Sequence, residues 1–131
     1  MKALDTNVVV RFLVGDDQTQ AQKVYSLFKE AEKNRHEFYI SILVLIEVIC
    51  VVESIYKIKR NELLASISDL TQMPIFQFEH YEAIQSFIID AHGNNYDLSD
   101  LLIAHCADQK SASPVLTFDI KAAKHNFFEL I

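Results

Sequence analysis

Glycine and proline are scarce, with two of each in 131 residues, where average usage would give about 16 together. That shortage excludes collagen-like and linker-rich architectures and favours long helices with brief connections. It also leaves no phosphate-cradling glycine loop, which argues against ATP or dinucleotide binding. No Gly-x-Ser-x-Gly turn supports serine-based hydrolysis. Cysteine is equally sparse. Cys50 and Cys106 form no Cys-x-x-Cys pattern, sit among apolar residues and read as buried thiols, so neither a disulfide framework nor a zinc site is expected. Basic residues are outnumbered, 12 Lys plus Arg against 18 Asp plus Glu, for a net charge of −6. A bulk cationic surface for nucleic acid is therefore absent, although local cations or metal ions can still serve nucleic-acid chemistry. The most apolar stretch, residues 40–52, is interrupted by Glu47 and falls short of the ~20 residues a membrane span needs. Asp5 breaks any secretory apolar region near the start. A soluble, cytoplasmic protein with no membrane contact is expected.

Half of the residues are hydrophobic, enough for one core, and no repeat or linker divides the chain. A single domain over 1–131 is expected. Residues 1–4 read as a buried strand ending at Asp5. Apolar residues recur with helical spacing from Gln18 to Lys33. Phe38–Ile40 reads as a strand, and Ser41 to about Lys57 as a helix too long and turn-free to be a strand. Leu63, Leu64, Ile67 and Leu70 predict a helix stopped near Pro74. A strand over Ile75–Phe78 follows, then a helix through Tyr81, Ile84, Phe87, Ile88 and Ala91, with Gly93 as its C-terminal cap. Asp97 opens a helix with Leu98, Leu101, Leu102 and His105 on one face. Val115–Phe118 is a strand ending at Asp119, and Phe127–Ile131 a short terminal strand. Short apolar strands alternating with helices predict a parallel sheet covered on both faces. Ligands of such sheets bind beyond the carboxyl ends of the strands, where Asp5 and Asp119 fall.

The acids have ordinary readings as well. Asp5 suits an N-cap, Asp97 and Asp100 complement a helix dipole, and Asp119 fits a turn. Glu47 has only Leu43, Val44, Cys50 and Val51 as stripe neighbours, which predicts a buried carboxylate that is protonated, paired with a distant base, or bound to metal. Taken together, the acids make better sense as ligands. Carboxylates crowded in one crevice repel, and Mg²⁺ or Mn²⁺ relieves this with oxygen ligands and few carboxylates. Phosphodiester hydrolysis is the chemistry that follows. His105 reads as a packed core histidine, and His36, His80, His92 and His125 show no ligand spacing. Arg11 and the cluster Lys57, Lys59 and Arg60 are candidate contacts for an RNA backbone.

LDTNVVVRFLVGDD, ISILVLIEVICVVE, YDLSDLLIA and LTFD, in that order over residues 4 to 119, resemble the four signatures of PIN-domain ribonucleases, most closely the VapC-type toxins of bacterial toxin–antitoxin pairs. The resemblance implies a three-layer α/β/α sandwich with a short, mainly parallel central sheet. It also implies a metal-dependent endoribonuclease whose catalytic metal ligands are Asp5, Glu47, Asp100 and Asp119, with Asp97 as an additional or alternative ligand. Thr6, Asn7 and Thr117 match small polar supporting positions. A homodimer and a cognate antitoxin are the implied partners, beside the RNA substrate. Leu98 and Ser99 depart from the Phe and Ala more often found there, and Ile120-Lys121 from the usual order of a basic or polar residue and then an apolar one. The same acids could instead serve a DNA nuclease or phosphatase. A non-catalytic protein-binding module, in which the acids only stabilise helix ends, is the reading from a different class.

Overall fold

The computed structural model describes residues 1–131, which form two compact units, Met1–Glu79 and His80–Ile131. The first contains β1 (Lys2–Ala3), α1 (Thr6–Val14), α2 (Gln18–Asn34), β2 (Phe38–Ile40), α3 (Ile42–Ser54), α4 (Arg60–Thr71) and β3 (Phe76–Phe78). Its strands are parallel in the order β1-β2-β3, with Ala3 opposite Tyr39 and Ile40 opposite Phe78. Phe38 and Ile40 are buried, with Tyr39 pointing to the other side of the sheet. An aromatic cluster fastens helices to strands: Phe28 of α2 lies 5.0 Å from Phe12, 5.5 Å from Phe38 and 5.1 Å from Phe76, ring centre to ring centre. Such tilted and edge-to-face pairs add to the burial of their large apolar area.

The second unit contains α5 (Tyr81–Ala91), α6 (Leu98–Gln109), β4 (Val115–Thr117), a 3₁₀ turn (Ala122–Lys124) and β5 (Phe128–Leu130). β4 and β5 pair in parallel, Val115 opposite Phe128. α5 packs on α6, and Ala83, Ile84, Phe87 and Ile88 of the first and Leu98, Leu101 and Leu102 of the second are buried. Ala104, Ala122 and Phe128 form a smaller apolar cluster beneath the two strands.

The α/β class and the parallel pairing expected from the sequence are what the chain adopts. Strand hydrogen bonding falls into a three-stranded and a two-stranded sheet, one in each unit. Local chemistry sets the helix starts. Ser41 accepts the Val44 N–H at 3.2 Å to open α3, and Asp17 accepts the Gln20 N–H at 3.0 Å to open α2. No helix is long and apolar enough to cross a membrane.

Three expectations are corrected. α3 ends at Ser54 rather than near Lys57. The thiols are not buried: Cys50 is exposed and Cys106 intermediate. Gly93 is not a left-handed cap, because α5 closes with His92 in right-handed helical geometry. The left-handed glycine is Gly15, at φ +67°, where its N–H returns to the Arg11 carbonyl at 3.0 Å and ends α1.

The two glycines should therefore respond differently to alanine. Gly15→Ala should cost about 1 kcal/mol, because a Cβ is strained in the left-handed region even where space is open. Gly93→Ala meets only the Asp90 carbonyl at an ordinary 3.6 Å and should be neutral or stabilising by up to about 0.5 kcal/mol. Urea denaturation of both variants checks this.

Candidate metal centre

In the first unit, Asp5 directly follows β1, whose pairing continues one residue further through the Leu4 N–H to the Tyr39 carbonyl at 2.9 Å. Asp5 occupies the N-cap position of α1, yet its side chain makes no capping hydrogen bond. Its backbone carbonyl takes the Val8 N–H, at 3.1 Å, so capping accounts for the backbone and not for the exposed carboxylate. Thr6 is buried and its hydroxyl donates to Glu47 Oε2 at 2.8 Å. That bond joins the start of α1 to the middle of α3 and fixes one carboxylate oxygen. Asn7 is exposed beside it.

Glu47 itself is exposed, which overturns the expectation of a buried carboxylate. α3 turns Leu45, Val48, Ile49 and Val52 to the core, and Leu43, on the stripe with Glu47, is 72% exposed. The helix is apolar on nearly every side, so an apolar stripe around Glu47 does not mark the inner face.

In the second unit, Asp97 caps α6 by accepting the Asp100 N–H at 3.0 Å. Asp119 accepts the Ala122 N–H through Oδ1 at 3.0 Å, while its own N–H donates to Thr117 Oγ1 at 2.9 Å. The capping and turn readings are thus true of these two aspartates, and each holds its carboxylate in a fixed direction. Asp100 is only partly exposed. Burial, and then the negative charges of Asp97 and Asp119, push its carboxyl above the ordinary value. Asp100 therefore lies within range of the charges of both Asp97 and Asp119.

These donors are hard carboxylate oxygens, the set that Mg²⁺ or Mn²⁺ takes in preference to zinc. A cation beside Asp100 would also relieve the repulsion that raises it. An open cleft lies elsewhere. It has about 780 Å³, sits at the amino ends of the strands among Lys2, Arg35, His36, Glu37 and Gln77, and includes none of the predicted ligands.

Of the candidate RNA contacts, Arg11 is committed within its own unit. Its guanidinium donates to Gln20 Oε1 at 2.7 Å, Asp16 Oδ1 at 3.0 Å and the Tyr56 hydroxyl at 3.1 Å. Lys57 and Lys59 are exposed.

Sequence reasoning missed one cluster. Asp90 Oδ2 is approached by His105 Nε2 at 2.8 Å and His125 Nε2 at 2.7 Å, and Asn94 Nδ2 donates to Oδ1 at 3.1 Å. The imidazole and carboxylate donors lie within 4.8 Å of one another, close enough for an ion. The Phe127 N–H, however, donates to His125 Nδ1 at 2.9 Å. A neutral His125 therefore carries its proton on Nε2, aimed at Asp90, and an ion there would force that proton onto a nitrogen already facing a donor. The trio is satisfied as a hydrogen-bonded unit. A signal for it was present: Asp90 stands three residues after Phe87 and seven after Ala83, on the buried face of α5.

The PIN domain family model matches residues 2–127. The chain belongs to the PIN domain family. Comparison with curated proteins yields no match. PIN domains are generally metal-dependent nucleases; in this PIN domain the acids of the first, third and fourth signatures stand at helix starts or just after strands and Glu47 in the middle of α3, with a separate carboxylate–histidine cluster that includes His105 of α6.

Two acids should give opposite pH signatures. Burial raises the Asp90 carboxyl, but the hydrogen bonds from His105 and His125 outweigh it, and the net direction is downward. Asp90 therefore contributes stability above the ordinary carboxyl value that is lost as pH falls through its lower folded value. Asp100 is raised, so its ionisation opposes folding at neutral pH, and protonation removes that cost as pH falls through the raised value. In melting curves from pH 7 to 3, Asp90→Asn should lie below wild type at pH 7 and converge with it in acid. Asp100→Asn should lie at or above wild type at pH 7, and that gain should vanish in acid.

Proposed function

We propose that this PIN domain is an endoribonuclease dependent on Mg²⁺ or Mn²⁺, and the toxin of a VapC-type toxin–antitoxin pair. The observation that carries the reading is the PIN domain family match over residues 2–127, which includes the signature acids Asp97, Asp100 and Asp119 at the start of α6 and just after β4. Asp5, Glu47, Asp100 and Asp119 are assigned as the catalytic ligands, with Asp97 as a further one. The ion supplies an activated nucleophile and charge stabilisation at the phosphodiester.

The residues of the chain supply position. Thr6 holds Glu47 through Oε2 and leaves Oε1 for the ion. Thr117 and the Ala122 N–H fix the turn and carboxylate of Asp119. Asp97 directs one oxygen into the first turn of α6 and keeps the other available. Asn7, exposed at the start of α1, supports the substrate side. RNA brings its own phosphates to the ion, which suits a chain of net charge −6, and Lys57 and Lys59 are assigned to contacts along its backbone. Cytoplasmic location, a homodimer and an antitoxin that blocks the site complete the reading.

Purified protein should cleave single-stranded RNA with Mg²⁺ or Mn²⁺ and stop in EDTA. Asp5→Asn and Asp119→Asn should each lower cleavage by on the order of 100-fold or more. Thr6→Val should lower it by about 10-fold, with Thr6→Ser close to wild type, since a hydroxyl that orients a ligand is worth roughly 10–100-fold. Expression of wild type alone should arrest growth, and Asp5→Asn should not. Cleavage that survives EDTA, or activity confined to single-stranded DNA or a phosphomonoester run in parallel, would overturn the reading.

A further inference from the structure

Helix α3 is apolar on its outer side as well as its inner one. Leu45, Val48, Ile49 and Val52 are buried, yet Leu43 is exposed and Val44, Ile46 and Val51 are half-buried. Burial alone therefore gives only a weak preference for one rotation of the helix about its axis. Directional contacts supply the rest, and two carboxylates make them. Glu47 Oε2 accepts the Thr6 hydroxyl of α1 at 2.8 Å. Glu79 Oε1 accepts the Ile42 N–H, the first of the helix, at 2.9 Å and across 37 positions of the chain. Glu79 stands directly after β3 and belongs to none of the four signatures. Its own N–H donates to the Ile40 carbonyl at 3.0 Å, so the pairing of β3 with β2 fixes the point from which its side chain starts. The Tyr39 hydroxyl of β2 is hydrogen-bonded to the same side chain.

We infer that Glu79 is a positioning residue: by holding the first N–H of α3 at the ends of β2 and β3, it sets the rotation of the helix and so the direction in which Glu47 meets Thr6. Starting the helix does not require it, because Ser41 already accepts the Val44 N–H and caps α3 from within. What Glu79 adds is a tie from sheet to helix. A carboxylate at the positive end of a helix makes a charge-assisted bond to an N–H that has no partner inside the helix. Glu47 follows Ile42 by five residues, about 1.4 turns, so a change of rotation at the start carries directly to it. The tie itself needs no metal. Its consequence for ion binding rests on the proposed nuclease reading, in which Glu47 is a ligand.

A double-mutant cycle in EDTA tests the tie without reference to activity. Glu79→Ala should lower Tm by about 4 °C, the size expected for one lost capping acceptor. In that background Thr6→Val should lower Tm by less than half as much as it does in wild type, because Glu47 is no longer aimed at the hydroxyl. Glu79→Gln keeps an oxygen for the Ile42 N–H and should restore the full effect of Thr6→Val. Equal effects of Thr6→Val in wild type and Glu79→Ala would overturn the inference and leave Glu79 a second cap. If Glu79→Ala does not fold, Glu79→Ser, too short to reach Ile42, runs the same cycle. A second arm measures Mn²⁺ binding well below Tm. Glu79→Ala should raise Kd by about 10-fold, and should leave it unchanged in a Glu47→Gln background, since the effect passes through Glu47. Wild-type Mn²⁺ affinity in a destabilised Glu79→Ala would refute the positioning role, and so would equal losses of affinity with and without Glu47. If wild type binds no Mn²⁺, the nuclease reading fails while the cycle in EDTA still decides the tie.

Discussion

Carboxylates brought close together repel, and the second unit of this chain places Asp97 and Asp100 at the start of α6 and Asp119 just after β4. Burial, and then the charges of Asp97 and Asp119, raise the carboxyl of Asp100. A fold can tolerate such crowding by binding a cation, by protonation, or by opposing attraction elsewhere. Here the same unit holds Asp90 bonded to His105 and His125, and PIN domains are generally metal-dependent nucleases.

The backbone explains why these residue types recur where they do. Parallel strands finish at one end of each sheet, and the next residues begin helices or turns. Asp5 opens α1 after β1, and Asp119 begins the turn that leads from β4 into the 3₁₀ segment. A short acid there serves two physical ends. Its backbone or one of its oxygens satisfies exposed N–H groups, as with Asp97 and Asp119, while the rest of the carboxylate projects from the strand end. Capping and ligation are therefore compatible roles for one residue. Thr6 adds what a cap cannot. Its hydroxyl reaches from a buried position to Glu47 and fixes a side chain that an exposed place on α3 would otherwise leave mobile.

Much of this was legible in the sequence because it is local. Phe38–Ile40 reads as a strand from its own apolar residues, with Ser41 ready to cap the helix that follows, and the spacing of Tyr81, Ile84, Phe87 and Ile88 gives α5 directly. Inference failed where the local pattern carries no direction. α3 is apolar nearly all round, so the stripe through Leu43, Glu47 and Cys50 looked inward although it lies on the outer side. Gly93 and Gly15 both follow helices, and only tertiary context decides which one takes the left-handed turn. The carboxylate–histidine cluster joins residues 15 and 35 positions from Asp90, a separation with no fixed spacing to read. Its one local trace was an aspartate on a buried helix face.

The central claim is the proposal that the acids of the PIN signatures bind a divalent ion. Titration of Mn²⁺ followed by the electron paramagnetic resonance of the free ion tests it most directly, on wild type, Asp5→Asn and Asp100→Asn. The account predicts saturable binding in wild type that weakens by at least about 10-fold in either variant, and no further site that persists in both. Absence of saturable binding, or binding indifferent to either substitution, would contradict it.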